Sequence, residues 1–429
     1  MTVKIGRLVY FAVFLTLFVG SNVMSKFGYK IGEQSAPAFQ KVAPQVYVIV
    51  FLVFLLVLKN RFKIPKYLTQ DFYALFFFIL LLFYMVFRGI ADSISFIPNT
   101  LILAVGFSIM LTKVSSRSLD SMRKLVLFFF LINCFIAIVE RVYAIHFFEP
   151  LKENIDYSGF RSTALQNHPL NNALITSVIL VFILTSEVKM TYKVFCLLIG
   201  LISIICYGSR SSLAGMILVI SVFIVQHVIF SKKSGSLLGK LIFIVLFSLG
   251  CFFIFIVATE SIFGERIMNR FYFDDSAQTR LQLFGMFELV SMENLLFGMS
   301  QATSNYIKDR ADVYEIENFW IVWIFRFGAI ISSVLIFLFI KFVVRLLKKY
   351  SVTNRNLILF CFFLISSTNN SLSTITPALA IYVICAYVFA PRENGLSREK
   401  INLENSALED EKEGATNTKL RVGYPKIID

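Results

Sequence analysis

Charge is scarce along this chain: only 16% of its residues are Asp, Glu, Lys or Arg, against 57% that are apolar. With a mean hydropathy of +0.75, that composition excludes an ordinary soluble domain. Histidine is scarcer still, at three residues, and cysteine stands at six. Cys134, Cys196, Cys206, Cys251, Cys361 and Cys385 fall inside apolar runs at no metal-like spacing. They read as small packing residues, which argues against disulfides or a zinc site. There is no GxSxG elbow, Walker loop, HExxH helix or Cys/His cluster. Asp274-Asp275 lacks the context of a metal and nucleotide-sugar site.

What the chain has in abundance is long apolar runs. Windows of roughly 17–25 residues, measured against about 30 Å of hydrocarbon, give about twelve candidate membrane spans. They lie near 7–24, 43–58, 71–87, 97–112, 125–145, 171–186, 193–209, 212–230, 240–258, 318–343, 356–370 and 375–390. The fold expected is an all-α integral membrane protein. Residues 4–20 have the basic start and apolar stretch of a signal peptide, but no small-x-small cleavage site follows, so an uncleaved first helix is expected.

Loops 59–70, 113–124, 187–193, 231–240 and 344–355 carry the lysines and arginines, among them Lys59, Lys66, Lys113, Arg123, Lys189, Lys232, Arg345 and Lys348. The positive-inside rule makes these loops, and both termini, cytoplasmic. The formal charge of +14 thus reports topology and attraction to anionic membrane lipids, not nucleic-acid binding. Two long segments then face outward, 146–170 and 259–317. Within the second, polar Arg280, Gln282, Gly285, Glu288 and Ser291 alternate with Leu281, Phe284, Phe287 and Val290, the spacing of an amphipathic surface helix. Three regions follow: helices 1–5 in 1–145, a core with the outward loops in 146–390, and a charged tail at 391–429, expected to be disordered. No internal repeat relates the halves, which counts against a carrier built from two similar units.

Arginines gather on the outward side. Arg210 lies in Gly208-Ser209-Arg210-Ser211-Ser212, a turn opening a helix, where serine caps and the positive helix end make an anion seat. Arg280 heads the amphipathic segment, with Arg266 and Arg270 upstream beside Asp274 and Asp275. Guanidinium matches phosphate in a two-pronged geometry, so arginines from separate loops can clamp a diphosphate; Arg266 and Arg270 fit pairing with the aspartates better. Glu317 is expected in the first turn of span ten, either as a helix-end carboxylate or as a general base. Arg326 lies about two and a half turns deeper, as a buried partner or a structural residue. Arg161 precedes the run Ser162 to Asn172, where Pro169 opens span six, Asn171 and Asn172 can present amides at the lip, and His168 is a cap or a proton carrier.

In order and membrane position these elements resemble the superfamily of O-antigen ligases and Wzy-type O-antigen polymerases. The resemblance rests on Arg161 to Asn172, Gly208 to Ser212, the Arg280 segment with Leu296-Phe297-Gly298, and Glu317-Asn318 followed after nine residues by Gly328, covering roughly 155–345. It implies a GT-C-like fold of about twelve helices, with a large periplasmic loop between helices 9 and 10. The implied chemistry is metal-independent, cofactor-free glycosyl transfer from undecaprenyl diphosphate at the periplasmic face of a bacterial inner membrane. Arg210 and Arg280 would hold the diphosphate and Glu317 would act as base, with Arg161, His168, Asn172, Asn318 and Arg326 binding substrate. Ligases have a histidine where this chain has Glu317, so the resemblance points to a polymerase of O-antigen or capsule, working with a flippase and a chain-length regulator. A ligase and a lipid-linked oligosaccharide flippase are the competing expectations.

Overall fold

The computed structural model describes residues 2–31, 36–88, 95–148, 160–226, 285–311 and 316–391, together with 248, 252, 256, 283 and 313. Among them every regular element is helical. In chain order they are α1 (Thr2–Phe18), α2 (Ser21–Lys26), α3 (Pro44–Lys59), α4 (Thr69–Phe87), α5 (Leu103–Leu111), α6 (Ser116–Tyr143), α7 (Pro169–Thr185), α8 (Met190–Cys206), α9 (Arg210–Ile224), α10 (Met292–Phe297), α11 (Gln301–Arg310), α12 (Phe319–Leu346), α13 (Val352–Ser366) and α14 (Ala378–Val388). Residues Met1–Ala390 form one compact unit, and Pro391–Asp429, the expected tail, form a second that lies almost wholly outside the described residues.

Among the described residues three helices are long and apolar enough to cross a membrane: Lys66–Phe87, Ser116–Tyr143 and Phe319–Leu346. The other apolar helices among the described residues are shorter, at 10–17 residues, and every expected span but 240–258, of which only 248, 252 and 256 are described, coincides with one apolar helix, long or short. This is a helical membrane protein, in which the described helices do not by their lengths establish all twelve expected spans. The first expected span, 7–24, ends sooner than its apolar run, because α1 stops at Phe18 and the chain turns through Val19 and Gly20 into α2. A Cβ on Gly20 would meet the Leu165 carbonyl at 2.2 Å, so only glycine lets that turn pack on the 160–168 loop.

The interior consists of helices that are apolar on every side. Residues 171–185 of α7 are all buried, as are all of α5 and nearly all of α14, and the three pack with each other or with a shared neighbour. Around them stand helices whose outer faces stay apolar, such as Tyr73, Phe76, Phe83 and Phe87 on α4 and Phe128 and Phe135 on α6. A surface of that kind suits lipid, where apolar side chains need no covering protein. The five described cysteines are free and buried, as the apolar setting predicts.

Polar contacts fix which helix ends lie together. Asp71 accepts from Arg345 and from the Ser108 hydroxyl (3.0 Å), and Ser108 lies 3.4 Å from the Tyr387 hydroxyl. Lys113 meets the Tyr67 hydroxyl, Lys193 donates to the Leu184 carbonyl (2.6 Å), and Asn354 donates to the Thr185 carbonyl (3.3 Å). The loops 59–70, 113–124, 187–193 and 344–355 therefore share one end of the bundle. The Asp71–Arg345 pair is buried there, where removing one partner leaves a charge uncompensated.

Helix α12 is broken. Gly328 has φ +80 within an otherwise helical run, and the 296–299 segment crosses it so closely that a Cβ would lie 2.2 Å from the Leu296 carbonyl. Gly298 faces it with φ +88, and the Met299 N–H donates to the Phe325 carbonyl (2.8 Å), which the break has freed. A kink with a named cause of this kind satisfies backbone groups that a continuous helix would have paired internally. From the far side, Tyr84 and Arg88 of the α4 end donate to the Phe297 and Gly298 carbonyls (2.6 and 3.0 Å). Replacing Gly328 with alanine imposes a left-handed residue, about 1–2 kcal/mol, and adds a backbone clash. Thermal unfolding in detergent should show Gly328→Ala destabilised by more than about 2 kcal/mol, whereas Gly285→Ala, with open space around it, should change stability by less than about 0.5 kcal/mol.

Candidate functional site

The bundle end opposite the cation-rich loops is built from irregular backbone, and its polar groups are bound by a few side chains rising from the helices. Glu140, one turn before the end of α6, is fully buried. Its carboxylate accepts from the Thr163 and Ala164 N–H groups (2.8 and 2.9 Å) and from Phe147 (3.1 Å). Asn133, two turns deeper, accepts from the Leu165 N–H (3.1 Å) and donates to the Tyr207 hydroxyl (2.9 Å). Arg141 donates to the Phe160 carbonyl, and the Ser162 hydroxyl to that of Ala137 (2.7 Å). The 160–167 loop is thus sewn to α6, a role the sequence reading did not assign to Glu140, Asn133 or Arg141. An ionisable pair inside an apolar run was the available signal.

That loop carries Arg161 to the turn before α9. Arg161 Nε donates to the Tyr207 carbonyl (3.0 Å) and the Ser162 N–H to that of Cys206 (3.1 Å). Arg161 and Arg210 therefore sit on segments bonded to each other, both half-buried. The Ser209 hydroxyl at the start of α9 is directed to the Ser212 hydroxyl (2.8 Å) and caps no backbone N–H. The expected serine cap is absent, so the first N–H groups of α9 are not closed off by it.

His168 is exposed and occupies the N-cap position of α7 without a side-chain cap bond. Pro169 opens the helix as expected. Asn172 is buried, not displayed at the lip: its amide nitrogen donates to the Thr163 carbonyl and to that of His168 (3.2 Å), which ties the loop to α7. The buried side-chain oxygens of Asn167, Asn171 and Asn172 accept no hydrogen bond, leaving acceptor capacity at the loop's base.

Glu317 precedes the cap and does not lie in the first turn. Asn318 is the N-cap: its Oδ1 accepts from the Trp320 and Ile321 N–H groups (3.0 and 3.2 Å), while its Nδ2 donates to the Ser367 carbonyl (3.2 Å). Because one short side chain satisfies both orphan donors, the half-buried Glu317 is not needed for capping. Trp320 Nε1 donates to the Ser367 hydroxyl (2.8 Å) and the Phe319 N–H to the Asn369 carbonyl (3.3 Å), so α12 starts against the turn that ends α13.

Helix α9 reaches the same place. Gly215 of α9 lies against Ile365 of α13, and Met216 against Cys361, so the two helices run antiparallel. Arg210, five residues before Gly215, and Ser367, two beyond Ile365, project toward the same end, within about two helical turns along the axis. Arg280 lies outside the described residues, as do Arg266, Arg270, Asp274 and Asp275. Of the amphipathic segment, Leu283, Met286 and Val290 are buried with Met299, Ile307, Ile316 and Phe325 in a small separate core, while Gly285 and Glu288 are exposed. The described part has the expected two-faced character, with Leu283 and Met286 carrying the inner side.

Arg326, two residues before the break in α12, donates from Nη1 to the Ser373 carbonyl (2.8 Å) and lies 5.7 Å from the Phe96 ring centre. It lines a cleft of about 110 Å³ with Gln301, Ser304 and Lys308 of α11, Ile316, Phe325, and Asn370, Ser373 and Thr374. Ile316 adjoins Glu317 in the chain, so this cleft runs from beside the Asn318 cap down to Arg326. Among the described residues no group of His, Cys, Asp and Glu side chains is arranged to hold a metal ion. The sequence matches no protein-family model and no curated protein.

Two outcomes test how the loop is held. In Glu140→Gln an amide NH₂ faces one of the N–H donors, and loss of a charge-assisted bond costs about 1.5–3 kcal/mol. Hydrogen exchange should accelerate at Thr163 and Ala164 by about tenfold or more, with a lower unfolding temperature. His146 stacks on Phe160 (4.4 Å between centres) and meets the Thr163 hydroxyl (3.2 Å). Burial lowers its pKa below the ordinary 6.5, against the opposing pull of Glu140. A depressed histidine pKa gives stability that is complete above about pH 6.5 and is lost as pH falls through the folded value. Unfolding temperature should therefore drop between pH 7 and 5, and less so in His146→Gln.

Proposed function

We propose that this protein polymerises a surface polysaccharide, O-antigen or capsule, at the periplasmic face of the inner membrane. The observation that carries the reading is the bond from Arg161 to the Tyr207 carbonyl, which ties one arginine-bearing loop to the Arg210 turn at the bundle end where Glu317 enters α12. The lysine- and arginine-rich loops gather at the opposite end, which the positive-inside rule turns toward the cytoplasm, along with both termini. The arginine end then faces the side on which carrier-linked glycans are assembled.

In the proposed reaction the acceptor hydroxyl oxygen attacks the anomeric carbon of the growing chain. The bond from that carbon to the carrier's phosphate oxygen breaks, and undecaprenyl diphosphate leaves with the electron pair. Glu317 takes the hydroxyl proton, while its neighbour Asn318 caps the helix. Arg210 and Arg280 stabilise charge developing on the leaving diphosphate, the kind of electrostatic contribution that dominates such sites. Arg161 positions the donor, and the acceptor oxygens of Asn167, Asn171 and Asn172 lie at the base of the same loop. A flippase and a chain-length regulator are the protein partners this role requires.

The break in α12 favours a second reading, a carrier for lipid-linked oligosaccharide, since interrupted helices bearing a charge at depth are a feature of transporters. Purified protein supplied with carrier-linked repeat units separates the two. Wild type should yield polymer, whereas Arg210→Lys, Arg280→Lys and Glu317→Gln, each folded, should lose about 10²–10³-fold in rate. Wild-type chain lengths from all three variants would remove the assigned roles. Translocation without polymer would establish the carrier, and transfer to a lipid A core in place of a repeat unit would establish a ligase.

A further inference from the structure

Arg326 meets no countercharge among the described residues. Of the five N–H groups of its guanidinium, one is directed to the Ser373 carbonyl. A cation held among apolar helices is unfavourable unless something anionic or polar approaches it. Its position is also fixed from behind. The Arg326 carbonyl lies 2.5 Å from where a Cβ on Gly298 would be, so the paired glycines at 298 and 328 permit the close crossing that sets the guanidinium at the cleft floor. The aromatic face of Phe96 flanks it.

The cleft above it is polar on the side that a ligand would meet. Lys308 and Ser304 come from α11, and Asn370 and Thr374 from the segment after α13. At about 110 Å³ it has room for several waters, for each of which roughly 10–15 Å³ suffices, or for one phosphate or carboxylate group on the edge of a sugar, but not for a lipid chain. None of its lining residues belongs to the Arg161 loop or the Arg210 turn.

We infer that this cleft is a second anion site, which seats a phosphate or a sugar carboxylate carried by the incoming acceptor glycan. That the ligand is an acceptor rests on the polymerase reading; that the cleft binds an anion does not. A group held at Arg326 would leave the rest of its glycan leading up past Ile316, toward Glu317, which is where a hydroxyl must be presented for deprotonation. Arginine supplies two parallel donors to either anion, and Lys308 adds a point charge on the opposite wall.

Binding is tested in full-length protein with Arg210→Gln and Arg280→Gln already in place, so that the donor seat contributes nothing. Inorganic phosphate and glucuronate are titrated separately and read by the rise in unfolding temperature. Saturable stabilisation by at least one of them is expected, with affinity lowered by about tenfold or more on adding Arg326→Gln, the loss of a charge-assisted hydrogen bond. Adding Lys308→Gln should lower it several-fold, and this change lies on a short surface helix and decides the matter if Arg326→Gln fails to fold. Preference for phosphate would assign the site to the carrier's diphosphate, and preference for glucuronate to an acidic sugar of the repeat unit. No saturable binding in the starting background, or affinity unchanged by Lys308→Gln and by any folded Arg326 variant, would overturn the proposal. Binding in this background, together with wild-type protein that yields no polymer from carrier-linked repeat units, would leave the cleft standing and remove the enzyme reading.

Discussion

The functional end of this bundle depends on a carboxylate being able to replace a helix turn. Backbone N–H groups cannot be left unpaired where neither water nor a regular helix can serve them, and the 160–167 loop enters such a place. Glu140 accepts two of its N–H groups and Asn133 a third, with Phe147 completing the carboxylate's set. The negative charge is tolerated because oriented amide dipoles surround it, the arrangement that stabilises an ionised buried carboxylate. With the loop fixed to α6, Arg161 can reach the Tyr207 carbonyl, and the Arg210 turn acquires a defined neighbour. Each link is short, so a defect at Glu140 reaches Arg161 and, through the Tyr207 carbonyl, the turn that bears Arg210.

The same economy governs the second half. Asn318 closes the start of α12 with one side-chain oxygen and grips the α13 turn with its nitrogen. The helix it starts runs for only nine residues before Gly328, and the carbonyl freed there is taken by Met299. Two unrelated segments, 296–299 and 367–374, are held against that nine-residue rod, and the Arg326 cleft is the space between them.

Much of this architecture could be read from residue order. Apolar windows found nearly every described helix, because α4, α6 and α12 owe their existence to continuous hydrophobic runs. The grouping of lysine and arginine into alternate loops anticipated which ends lie together. Pro169 at the head of α7 and a polar cap before Phe319 were equally plain. The site was less legible. Asn172 looked like a displayed amide because sequence does not reveal that the chain folds back over it, and Glu317 looked like a first-turn residue because the cap one position later was not weighed as the competitor for those N–H groups. The Gly328 break was invisible since a lone glycine in a membrane helix is ordinary; its meaning arises only when Gly298, thirty residues away, comes to lie across it. Glu140 with Arg141 was the missed signal, charges embedded in an apolar run that proved to be a structural tie; Asp71 at the head of its span and Arg345 of the following cation-rich loop proved to be another.

Helix length varies with position in a way that shapes the whole assembly. Helix α6 has 28 residues, about 42 Å of rise, and α12 the same number divided by its break at Gly328, whereas α7 at the centre has 17, about 25 Å, and α14 has 11, about 16 Å. The segments that continue from the short core helices, 160–168 before α7 and 367–377 before α14, are stitched by hydroxyls, amides and a guanidinium group. Beyond the short core helices the space is filled by loop backbone, so this end is held by side-chain bonds where a longer helix would bond to itself.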